Sequence, residues 1–182
     1  QIQNAGTIGG NLCNASPAAD GAPPLLALDA AVELASRDGV RSLPLSDFLL
    51  GPRRTALRTG EIMTAVIAPG DATTGRSVFL KLGARRHLVI SIAMTAVRIE
   101  TSGGRIVAAA VAVGACSAVA ARAPQVEAAL QGCPVDDLPD AAAIRPLLDP
   151  ALDPIADARA DADYRREAAA MLVARALRQA VA

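Results

Sequence analysis

Two adjacent glycines, Gly9 and Gly10, sit inside residues 7–20, TIGGNLCNASPAAD, where short polar side chains surround a point of minimal bulk. Glycine lets a backbone turn through conformations closed to residues with a Cβ, and it leaves main-chain N–H groups open to a ligand. Thr7, Asn11, Asn14 and Ser16 edge this turn, and Pro17 and Asp20 lead from it into the apolar run 25–28. Proline marks helix starts, and helix N-termini attract anions, so the stretch can seat a phosphate or diphosphate. The same spacing also describes a tight strand-to-helix turn that binds nothing. Asp20 likewise has two readings, as the N-cap of the following helix or as the partner of a hydroxyl or amide.

The stretch, continuing into APPLLALDAAVEL, resembles the second FAD diphosphate loop in the flavin subunit of molybdenum hydroxylases. That is the family of aerobic carbon monoxide dehydrogenase, xanthine dehydrogenase and aldehyde oxidase. Matching blocks follow in family order: FLLGPRRTALRTGEIMTAVIAP, then FLKLGARR, then ADYRREAAAMLVARALRQA near the end. The resemblance covers nearly the whole chain. It implies an α+β fold: the second subdomain of a PCMH-type FAD-binding domain, residues 1–70, with a small mixed sheet flanked by helices. A linker at 71–75 would join it to a domain like the carbon monoxide dehydrogenase flavoprotein C-terminal domain, residues 76–182, built as a three-stranded antiparallel sheet plus helices.

The resemblance also assigns a site. Residues 7–11 (Thr7, Ile8, Gly9, Gly10, Asn11) would wrap the FAD diphosphate, with Asn14 beside them. Asp20 would lie near the ribityl or flavin end. Met63 matches an apolar position against the ring system, although on its own it reads as a strand core residue. Lys81, the single lysine among 18 basic residues, matches a position beside the flavin. A compact ammonium there can hydrogen-bond the ring or balance negative charge arriving with electrons. Ile90 would cover the flavin edge. The implied holoenzyme holds molybdopterin in a large partner subunit and [2Fe-2S] clusters in a small one, and FAD hands electrons on to NAD, a quinone or oxygen. Residues before this isoleucine are often acidic in relatives, whereas Leu88 and Val89 stand here. The family's first FAD subdomain is missing, so the chain reads as a fragment expected to hold FAD weakly or not at all by itself. Two other readings are a stand-alone flavin oxidase of the vanillyl-alcohol-oxidase type and a cofactor-free subunit-assembly module.

Composition agrees. The chain of 182 residues is 52% hydrophobic but 2% aromatic, so its core must be built from Ala, Val, Leu and Ile. Its 18 basic and 18 acidic residues balance, without a basic tract of the kind nucleic acid selects. Apolar runs break well short of the ~20 residues of a membrane span. Cys13, Cys116 and Cys133 form no C-x-x-C pair, so they read as packed thiols in a reducing, cytoplasmic setting. His87, the sole histidine, reads as a surface or turn residue, and Arg53 and Arg54 as a solvent-facing loop or as contacts to FAD phosphate or a partner.

These residues must be positioned by a short series of elements. Residues 1–6 read as the tail of a preceding element, and 17–28 as a short helix that tolerates Pro23 and Pro24 only in its first turn. Residues 31–36 and 40–45 flank Asp38-Gly39, a hairpin signal. Ser46 is placed to cap a brief turn at 47–50, and 61–68 reads as a strand. Strands follow at 77–83, 90–100 and 105–115, with Gly103-Gly104 turning between the last two; alternation of Ile90, Ile92, Met94 and Ala96 supports the middle one. Helices are expected at 123–130, 140–148 and 163–180. On the last, Tyr164, Ala168, Met171, Leu172 and Ala176 form a packed stripe, and Arg165, Arg166, Arg175 and Arg178 a solvated face.

Overall fold

The structure, a computed structural model, describes residues 2–182, so Gln1 lies outside it. The chain begins with one turn of helix, α1 (Ile2–Ala5), in the expected lead-in. The glycine stretch then forms a helix, α2 (Ile8–Asn14), where a glycine turn was expected. The reason is local: Thr7 is extended and its hydroxyl accepts the Gly10 N–H at 2.9 Å, an N-cap that starts the helix ahead of both glycines. Ala15 closes α2 in the left-handed conformation.

The next helix, α3 (Ala22–Ala27), is shorter than the reading of 17–28, and both prolines sit in its first turn. The hairpin signal is realised as β1 (Ala31–Ser36) and β2 (Gly39–Pro44). Ser36 pairs with Gly39, so Arg37 and Asp38 are the turn residues rather than the Asp-Gly pair. Helix α4 (Leu45–Phe48) starts before Ser46, whose hydroxyl bonds Asp47 instead of capping. A small hairpin, β3 (Leu49–Gly51) with β4 (Arg54–Thr55), turns at Arg53 with φ 56°. Strand β5 (Ile62–Ile67) completes a sheet ordered β2-β1-β5. Both pairings are antiparallel, so this sheet is not the mixed one expected. Arg41 on β2 reaches across to Glu61, and this hydrogen bond is the main reason the Glu61 carboxyl is lowered to about 2.

Past a 3₁₀ turn (Asp71–Thr73) in the expected linker, β6 (Arg76–Leu82), β7 (Ala93–Ser102) and β8 (Arg105–Gly114) form the expected antiparallel sheet. A two-residue fourth strand, β9 (Ala121–Arg122), extends it. Gly103 and Gly104, both at positive φ, make the tight β7–β8 turn. Strand β7 begins three residues later than expected, leaving residues 83–92 as a loop with Leu88 and Ile90 in solvent. Helices α5 (Pro124–Leu130), α6 (Ala141–Leu148) and α7 (Ala162–Val181) follow.

The β6–β9 sheet is covered on both faces, and alternation along its strands sorts the side chains by size. Val97, Ile99, Val111 and Val113 face the helices, in one core with Val126 and Leu130 of α5 and Val173, Ala176 and Leu177 of α7. Ala96, Ala110 and Ala112 face the other way, into a core shared with Leu12, Leu26, Ala27, Leu34 and Phe48. Alanines on that face let α3 lie close: a Cβ added at Gly114 would stand 2.8 Å from Pro23 Cγ. Arg122 and Arg98 then bond the Leu26 and Ala27 carbonyls at the end of α3, at 3.0 and 3.2 Å. The expected stripe on α7 holds at Ala168 and Ala176, which are buried, and fails at two of its larger members. Tyr164 and Met171 are 50% and 56% exposed, while Arg165, placed on the solvated face, is buried. Among so many alanines hydrophobicity barely marks a face, and Ala169, Val173, Ala176 and Ala180 supply the packed one.

Candidate functional site

Two groups of the expected residues assemble, and Gly21 joins them. The first surrounds the start of α2. Gly9 and Gly10 have ordinary helical backbones, and among the described residues no protein acceptor takes the Ile8 or Gly9 N–H. The next two amides are engaged internally, Gly10 N–H by the Thr7 hydroxyl and Asn11 N–H by the Thr7 carbonyl at 3.0 Å. Two open donors therefore remain, fewer than a bare glycine loop would supply. The two glycines also differ. A Cβ at Gly10 would press on Thr7 Oγ1 at 2.9 Å and disturb the cap, whereas one at Gly9 would meet only Met63 Sδ, at 3.7 Å. Gly9 thus occupies a helical position with room for a side chain, where glycine costs ~1 kcal/mol relative to alanine. The fold does not require it.

Asn11 carries an orphan: its Oδ1 is buried with no hydrogen-bond partner among the described residues. A buried amide oxygen without a partner costs roughly 1–3 kcal/mol, so something polar is due there. Gly21 makes room for it, since a Cβ at Gly21 would lie 2.7 Å from Asn11 Oδ1 and 3.0 Å from Ile8 Cδ1.

Next to Gly21, Asp20 anchors the second group. Its carboxylate accepts from Lys81 Nζ at 2.5 Å and from the Ser91 hydroxyl at 2.7 Å. Helix α3 is capped at Gly21 with no side-chain bond, so Asp20 is not the cap of that helix. Lys81 projects from β6 and Ser91 stands just before β7, so this trio ties the N-terminal segment to the second sheet. Ser91 is 1% exposed, and it escaped the sequence reading inside the apolar run VISIA. Its signal was a lone hydroxyl where every neighbour was apolar.

The remaining expected residues sit at the margins. Asn14, the last residue of α2, is exposed. Ile90 is 52% exposed and shares a cavity of about 230 Å³ with Ser16, Ser91 and Arg165. Lys81, Arg85 and Arg86 line an open recess beside it, giving that rim a positive charge. His87 is exposed on the same loop, as expected. All three cysteines are free thiols. Burial pushes the Cys116 thiol up to about 11 and also raises Cys13, so neither is a thiolate near neutral pH. No helix among the described residues is long and apolar enough to cross a membrane.

Comparison with known proteins fits this geometry. Residues 1–71 match the FAD binding domain in molybdopterin dehydrogenase, and residues 78–180 match the CO dehydrogenase flavoprotein C-terminal domain. The chain is 44% identical over 108 residues to the nicotinate dehydrogenase FAD-subunit of Eubacterium barkeri, covering 57% of this chain and 36% of that one. It is 35% identical over 111 residues to the carbon monoxide dehydrogenase medium chain of Afipia carboxidovorans, covering 61% and 38% respectively. It superposes on reconstituted CO dehydrogenase from Oligotropha carboxidovorans with a TM-score of 0.92 at 30% identity, over 100% of this chain and 63% of that one. The chain thus spans less than half the length of these two sequence relatives. With both domain matches in order along one continuous fold, the chain belongs to the family of FAD-binding flavoproteins of molybdenum-containing dehydrogenases, of the CO dehydrogenase flavoprotein type.

Proposed function

We propose that this chain positions FAD in the electron-transferring subunit of a molybdenum hydroxylase, between iron–sulfur clusters of a small partner subunit and an acceptor such as NAD, a quinone or oxygen. Substrate oxidation belongs, in this reading, to molybdopterin in a large partner subunit. Bound FAD supplies the capacity to take up and release electrons singly or in pairs. The observation that carries the proposal is the contiguity, through Gly21, of the α2 N-terminus with its orphaned Asn11 and the Asp20–Lys81–Ser91 trio.

The residues present suit the group. The Ile8 and Gly9 amides are donors at the positive end of a helix, suited to a diphosphate, and Gly9 lets it approach the main chain. Thr7 holds the first turn in shape through its cap. Asn11 has an unpaired amide to offer, and a half-turn of that amide presents its NH2 to an anion instead. Asn14 extends the polar edge at the far end of α2. Asp20 has acceptor capacity beyond Lys81 and Ser91 for a hydroxyl or ring N–H. Lys81 offers a mobile cation with two further protons, and Met63 lies under Gly9 as an apolar floor. Ile90, exposed at the rim, shields the cofactor edge. We place the boundary between the two domains at 71–75, and the protein in the cytoplasm, where free thiols persist.

The test is flavin content in the complete subunit. Gly10→Val drives its Cβ against Thr7 Oγ1, breaks the α2 cap and abolishes FAD retention, read as loss of the flavin absorbance; retention at the parent level would refute the assignment. Because the added Cβ is directed at the cap, Thr7→Ala is expected to share part of the defect.

A further inference from the structure

Behind the trio, away from α2, lies one buried cation. Arg165 is 4% exposed, and its Nη1 donates to the Ile92 carbonyl at 2.6 Å and to the Ala115 carbonyl at 3.1 Å. Its Nη2 donates to Asp157 Oδ1 at 2.7 Å, while its Nε is buried without a partner among the described residues. Both carbonyls belong to segments that carry the trio. Ile92 follows Ser91, and its N–H is bonded to Leu82, the residue after Lys81. Ala115 donates its N–H to Pro17, three residues before Asp20, at 2.9 Å. Ala115 is also left-handed at φ 62°, a strained state for a residue with a Cβ, and its N–H and its carbonyl are both held. Asp157 is fixed in turn by the Arg159 N–H and guanidinium, each at 2.8 Å.

Resting on the flavin reading above, we propose that Arg165 is a positioning residue for the FAD site: its planar fork locks the backbones at Ile92 and Ala115, and thereby the spacing between Ser91, Lys81 and Asp20. Three acceptors in different directions suit a guanidinium, whereas a lysine ammonium cannot span them in one geometry. The inference adds a residue from α7, on the far side of the second sheet, to a site otherwise built from α2, β5, β6 and the loops between them.

The test uses the complete flavoprotein in its native assembly, comparing Arg165→Lys, Asp157→Asn and Lys81→Met by FAD content, flavin midpoint potential and visible circular dichroism. Arg165→Lys is expected to weaken FAD retention about tenfold and to shift both the potential and the dichroic bands, as loss of a charged hydrogen bond near the site would. Asp157→Asn is expected to produce a smaller shift in the same direction. A lowered melting temperature with unchanged potential and dichroism would show a purely structural role and overturn the inference. If Arg165→Lys fails to assemble, Asp157→Asn decides on the same criteria. Lys81→Met separates the two levels. If it too leaves content and potential unaltered, the flavin reading itself fails; if it alone shifts them, only the role of Arg165 fails.

Discussion

Two carboxylates in this chain, Asp20 and Asp157, each join a cation to a second donor residue, and the cations they hold differ in exposure and stiffness. Asp20, 46% exposed at its side chain, holds a lysine and a serine. Asp157, at 35%, holds Arg165, of which only 5% of the side chain reaches solvent. At Asp20 the cation is a compact ammonium on a flexible stem, able to change partners without dismantling anything. At Asp157 the cation is a rigid fork whose other donors hold up backbone. The first junction suits a ligand and the second suits a frame, and they stand back to back across residues 91–92.

Stability measurements can break that contrast. Arg165→Met leaves the Ile92 and Ala115 carbonyls without their donor and Asp157 without its buried partner. It is expected to cost about 3 kcal/mol, read from the denaturant midpoint. A loss under ~1 kcal/mol would make the two junctions equivalent. Asp157→Asn is expected to cost less and to change the acid response. The Arg159 N–H first, then the Arg159 and Arg165 side chains, hold the Asp157 carboxyl down at about 2. A carboxyl lowered on folding stabilises the protein above its usual range and loses that contribution as pH falls toward the lowered value. The parent should therefore shed stability between pH ~4 and about 2 in a component the variant lacks, and superimposable acid curves would count against the pairing.

Smaller effects sharpen the other side. Gly9→Ala places a methyl in ordinary contact with Met63 and improves helix propensity, so the FAD-free protein is expected to gain ~0.5–1 kcal/mol while flavin retention falls. Opposite signs in those two assays would be hard to explain unless a ligand approaches that backbone. Lys81→Met removes a solvent-screened pair and should move stability by only a few tenths of a kcal/mol, with the effect appearing in the flavin potential instead.

How far the sequence foretold this varies with what each residue depends on. The hairpins at Arg37-Asp38 and Gly103-Gly104 were legible because turn chemistry is local. Lys81 and Asp20 were both singled out, yet nothing in either segment showed that they meet, because 61 residues separate them. The glycine pair was noticed for its conformational freedom, but Thr7, three residues before Gly10, turned that freedom into a helix start. Arg165 was misread most, since on an alanine-rich helix the solvated and buried sides look alike until the sheet beneath them is known. The order of the two domains was readable from motif blocks, whereas the shared core beneath α3 depends on which way the alternation in β7 and β8 points.

That alternation also affects how the protein tolerates change. Where Ala96, Ala110 and Ala112 meet α3, small side chains let the layers close on one another, with Met94 filling the space beside Gly114. A valine at Ala112 would act as a wedge under the helix whose approach carries Asp20, and overpacking of this sort costs ~1–3 kcal/mol. The plainest side chains in the chain are thus its spacers, and enlarging one would be felt at the proposed flavin site before any polar residue there had been touched.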